Sequence, residues 1–137
     1  MKIDASNLLV GRFATVAAKS ALLGETVEVI NCEKAVISGS REQVLQEWLR
    51  KSKMGTHRKG PFYIRQPDRI VKRIIRGMLP HRQPKGAAAL KRIRCFTGIP
   101  SDCKKDDFKQ ISGALCSKLQ STRFVTVGEI SKTIGGK

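Results

Sequence analysis

Apolar positions recur along this chain in two rhythms, and the two alternate. KID at residues 2–4 is a short strand-like run. Phe13, Val16, Ala17, Ser20 and Leu23 then fall near one face at helical spacing, and Gly24 follows as a stop. TVEVIN at 26–31 is a β-branched strand, and AVIS at 35–38 a second short apolar run that ends at Gly39. Ser40 with Gln43 forms a capping-box pattern, and Val44, Leu45, Trp48 and Leu49 make the apolar side of the helix it opens. After a glycine- and proline-punctuated stretch at 51–62, Pro67-Asp68 opens another helix that runs to about Gly77. RIRCFTGI at 92–99 alternates like a strand and stops at Pro100. Phe108, Ile111, Leu115 and Leu119 suggest a helix over 108–119, and Thr126 with Glu129 caps a closing helix that stops at Gly135-Gly136. Strands alternating with helices predict an α/β layered domain with a mainly parallel sheet.

The helix at 68–79 carries the most information. On a wheel of about 100° per residue, Ile70, Val71, Ile74, Ile75, Met78 and Leu79 share one half. Arg69, Lys72, Arg73 and Arg76 share the other, about one turn apart. A charged helix face is ordinarily just solvated surface. These four charges share one sign, with no acid one turn away to pair them, so they call for an external neutraliser. Arginine also presents a planar donor fork suited to phosphate oxygens. Gly77 and Pro80 end the helix, and Pro80 and Pro84 are expected to stiffen a following basic loop bearing His81, Arg82 and Lys85.

Charge sharpens this picture. The net charge is +16 over 137 residues, but residues 1–49 sum to −1, residues 50–94 to +14 and residues 95–137 to +3. The excess is therefore a localised surface whose simplest partner is a polyanion. A second basic loop at Lys51–Lys59 offers Lys53, His57, Arg58 and Lys59, and Arg65 follows it. Gly55 and Gly60 would let its backbone approach a sugar-phosphate chain closely, whether the loop is ordered alone or only on binding.

Other chemistries find little support. No apolar run approaches the roughly 20 residues of a membrane span, and the N-terminus lacks a signal-peptide pattern. The chain is therefore expected in the cytoplasm, with Cys32, Cys95, Cys103 and Cys116 as free thiols. His57 and His81 lack the spacing of a zinc site, and neither dinucleotide, phosphate-loop nor nucleophile-elbow patterns occur. No catalytic residue, cofactor, metal or small-molecule substrate is expected. Helix-turn-helix, finger and paired-aromatic RNA signatures are also missing, which favours backbone and shape contacts over base readout.

LLVGRFATVAAKSALLGE, VINCEKAVISG, GPFYIRQPDRIVKRIIRGMLP, KRIRCFTGIP and TVGEISKTIGG together resemble the family of large-subunit ribosomal protein thirteen, in its archaeal form. The G-M-L-P turn with its basic continuation is the most specific piece, and residues 101–122 match least. The resemblance implies a three-layer α/β/α domain with a four-stranded sheet, spanning 1–137 with its basic RNA-binding region at about 50–94. It also implies binding to large-subunit rRNA beside neighbouring ribosomal proteins, and a part in subunit assembly. A DNA-compacting protein and an RNA-modifying enzyme are the alternatives that the residues alone leave open.

Overall fold

The computed structural model describes residues 1–56, 58–101, 107–121 and 123–136. Three parallel strands form its centre: β1 (Lys2–Asp4), β2 (Val27–Ile30) and β4 (Ile93–Cys95), in the order β1-β2-β4. Ile3 lies opposite Val29, and Val27 and Val29 lie opposite Ile93 and Cys95. The middle strand holds Val27, Val29 and Ile30 fully buried, as a parallel strand covered on its faces requires. Each successive strand is laid down on the same side of the last. Among the connecting helices, α1 (Val10–Leu22) packs against both α3 (Pro67–Gly77) and α4 (Pro84–Lys91). β3 (Val36–Ser38) leaves this sheet and pairs antiparallel with β5 (Phe124–Thr126). The architecture is the expected mixed α/β layering about mainly parallel strands, with the strands divided three and two instead of four together. Single bridges, Leu9 to Val36 and Ile3 to Lys109, carry pairing beyond the three-stranded sheet.

Several elements differ in detail from their sequence pattern. The buried stripe of α1 is Val10, Phe13, Ala14, Ala17, Ala18 and Ala21, so the face is turned toward its alanines. Small residues there let α3 and α4 approach closely, while Leu23, beyond the helix end, is left 74% exposed. α2 (Arg41–Ser52) has no fully buried residue, and Val44, Leu45, Trp48 and Leu49 are half-buried. Ser40 occupies its N-cap position without a side-chain cap bond. By contrast Thr126 Oγ1 accepts the Glu129 N–H at 3.2 Å and starts α5 (Val127–Thr133) as its pattern predicts. The helix expected over 108–119 is instead two short 3-10 turns, Ser112–Ala114 and Cys116–Lys118. The Leu9 N–H donates to the Ala114 carbonyl and the Cys116 N–H to the Asn7 carbonyl. A backbone paired to residues 7–9 in this way cannot also close helical bonds.

Cys32 lies in the core beside Cys95 and donates weakly to the Val29 carbonyl at 3.8 Å. The neighbouring Cys95 thiol, and then burial, push its pKa far upward. Cys32, Cys95 and Cys116 are free thiols, while Cys103 lies outside the described residues.

Candidate nucleic-acid interface

The separation seen on the wheel of α3 is real in space. Ile70, Val71 and Ile75 are buried, and Ile74 packs against the same core from its margin. Pro67 stands at the helix start, where a missing N–H costs nothing, and Asp68 adds a carboxylate to the first turn. Arg69, Lys72, Arg73 and Arg76 all line one shallow groove of about 270 Å³ together with Ile64 and Leu90. Among the described residues, no cation from Lys53 to Arg94 lies within ion-pair distance of a carboxylate. Lys51 does, bound to Glu47 on α2 and lowering that carboxylate's pKa. Arg92 is also occupied, since its Nη1 donates to the Ala21 carbonyl near the end of α1 at 3.3 Å.

Arg73 differs from its three neighbours. Its guanidinium carbon stands 4.7 Å from the centre of the Tyr63 ring, and Tyr63 meets Trp48 edge-on with centroids 6.5 Å apart. A cation held on an aromatic face keeps its planar fork in one orientation. This stack also joins α2, the basic arm that precedes α3, and α3 itself. Sequence reading passed over Tyr63 and Ile64 and placed Trp48 only on the apolar side of α2, although aromatics beside a basic run were a usable signal.

The arm is tied down at several points. The Gly60 N–H donates to the Thr56 carbonyl at 2.9 Å and the Lys59 N–H to Thr56 Oγ1 at 3.3 Å. Gly55, at φ +89°, passes so near Gly60 that an added Cβ would fall 1.9 Å from the Gly60 carbonyl oxygen. Arg58 and Lys59 are exposed on this closed loop and Lys53 at its entry, while His57 lies outside the described residues. Farther along, the Arg65 carbonyl accepts the Ser131 hydroxyl at 2.5 Å. Gly136 lies against the same carbonyl, so α5 and the residues just after it clamp the arm while leaving Arg65 exposed.

Beyond α3 the expected loop is mostly helix. Met78 is 42% exposed instead of seated in the core, whereas Leu79 is buried. His81 and Arg82 sit exposed on a hydrogen-bonded turn, with the Gln83 N–H donating to the Pro80 carbonyl at 2.9 Å. Pro84 starts α4, so Lys85 is a helical residue, and it lines a different groove with Thr15, Lys19 and Met78. The cations at Arg69–Arg76 thus form one row, those at Lys53–Arg65 a neighbouring set, and Lys85 stands apart.

The geometry defines a class: a small α/β protein with a basic arm and a cationic helix row that meets no carboxylate among the described residues. The sequence comparisons make it specific. Residues 1–102 match the model of the ribosomal protein L13 family, and the chain belongs to that family. It is 42% identical over 135 residues to "Large ribosomal subunit protein uL13" of Methanococcoides burtonii, covering 98% of this chain and 97% of that one. The Methanopyrus kandleri protein of the same name is also 42% identical over 135 residues, covering 97% and 85%. The Haloarcula marismortui one is 41% identical over 133, covering 97% and 89%. The family resemblance and its archaeal character, read from the motifs, are thereby established.

Proposed function

We propose that this protein is a structural component of the large ribosomal subunit that binds large-subunit rRNA and supports subunit assembly. The carrying observation is the row of Arg69, Lys72, Arg73 and Arg76 in one groove, with no carboxylate paired to it among the described residues. Family membership points to ribosomal RNA as the polyanion that meets it. Lys53, His57, Arg58, Lys59, Arg65, His81 and Arg82 extend that contact, and Lys85 reaches a separate stretch of backbone. Residues 1–137 act as a single domain whose RNA-facing region is about 50–94, beside neighbouring ribosomal proteins. The protein works in the cytoplasm without a catalytic step, cofactor or small-molecule substrate.

The test is co-sedimentation with large subunits through a moderate salt wash, followed by binding to purified large-subunit rRNA at rising salt. Retention and a steep log–log salt dependence are expected, with a slope near −0.9 per duplex phosphate neutralised. Release at the first wash, a flat salt response or preference for duplex DNA over rRNA would count against the proposal.

A further inference from the structure

A second recess lies beside the cation row. Met54, Phe62 and Tyr63 give it an apolar wall, and Lys53 and Arg65 lie on its lining, around a volume of about 440 Å³. That is within the roughly 300–1,000 Å³ typical of small-ligand sites. Phe62 is 69% exposed, the most exposed aromatic side chain among the described residues. One side of its ring rests against the loop backbone. It lies so close over Gly60, at φ +76°, that an added Cβ there would fall 3.0 Å from its Cδ2 and Cε2. The loop immediately before it is closed by the Thr56–Gly60 pairing. A ring presented on an ordered loop loses little freedom when a ligand covers it.

The surroundings narrow what that ligand is. Lys53, Arg58, Lys59 and Arg65 belong to this arm, and the sequence contains no acid between Glu47 and Asp68. A ligand that satisfies both features needs negative charge on its backbone and a flat π face. A base within a duplex has its faces covered by its neighbours, so the base must be unpaired. We infer that this recess takes one unpaired nucleotide of the bound RNA, its base stacked on Phe62 and its flanking phosphates met by Lys53 and Arg65. This rests on the RNA-binding reading above and adds a base contact to a surface otherwise suited to backbone alone. An apolar side chain from an acidic protein segment is the competing occupant.

Two synthetic RNAs separate these cases: a stem–loop with unpaired adenosines, and a perfect duplex of equal phosphate count. With the full chain, Phe62→Ala should weaken stem–loop binding by about 5- to 150-fold, the range of base–aromatic stacking. Duplex binding should change by less than about twofold, because the cations that meet phosphate remain. Phe62→Leu should behave like Phe62→Ala, and Phe62→Tyr like the parent, since only the latter keeps a π face. Equal losses on both RNAs, no loss on either, or full affinity with Phe62→Leu would each overturn the inference. Failure of the unmodified chain to bind either RNA would instead sink the RNA-binding reading itself. A benzophenone side chain placed at position 62 and photolysed in large subunits gives a second readout. Crosslinking to rRNA supports the nucleotide, and crosslinking to a protein overturns it.

Discussion

Arg73 shows how a single side chain serves both the fold and the surface. Its stem leaves the cation row of α3 while its guanidinium lies on Tyr63. A double-mutant cycle between Arg73→Ala and Tyr63→Ala, followed by urea unfolding, should give a coupling of about 0.5–1 kcal/mol. Arg73→Lys should recover less than half of it, because a compact ammonium has no planar face to stack. Cys32 supplies a second residue-level expectation. Folding raises its pKa, so the folded chain keeps a proton that the unfolded chain releases near its ordinary value of about 8.5. The group's contribution is complete below that pH and lost progressively above it, by at most about 1.4 kcal/mol per pH unit. Urea midpoints from pH 7.5 to 10 should fall more steeply for the parent than for Cys32→Ala. At this scale the sequence revealed charge better than contact. The cation row of α3 was legible because its spacing is local, whereas the Tyr63–Arg73 stack depends on how the arm folds back.

Among the elements, α4 marks where reading by composition fell short. Pro84 was read as stiffening a loop, but proline at the first helical position is a start signal, and three alanines follow it. The helix then backs onto the preceding turn so tightly that a Cβ at Gly86 would lie 2.1 Å from the Pro80 carbonyl oxygen. Gly86→Ala should therefore destabilise the protein by about 1–3 kcal/mol despite alanine's better helix propensity. Thermal unfolding measures it, and a neutral or stabilising result would show that the turn can give way. Thr126→Ala should cost about 1 kcal/mol through the lost cap of α5, whereas Ser40→Ala should cost less, since Ser40 makes no side-chain cap bond. Both positions fit the same capping pattern, and only Thr126 makes the side-chain bond. The strand alternation at 26–38 and 92–99 was legible for a related reason: strand identity is local. Which strands pair is not, and β3 found its partner in β5, far along the chain.

For the molecule as a whole, the uneven charge is the dominant fact. The region of +14 repels itself, so the isolated protein should gain thermal stability as salt screens that repulsion, before any partner is added. Arg69, Lys72 and Arg76 replaced together by Gln should raise the melting temperature at low salt and flatten the salt slope of duplex RNA binding by about 2 to 3 units. A lower melting temperature at low salt would mean that these side chains support the core instead. The same surface has a history during synthesis. The Arg65 carbonyl is held by the hydroxyl of Ser131, 66 positions later, and Gly136 lies against it. A growing chain exposes its basic arm well before the residues that hold it have been made. The Arg65 end of the arm thus lacks this anchor until the closing helix has been made and docks. A surface this strongly charged takes its final shape only once α5 has been made and has packed against the arm.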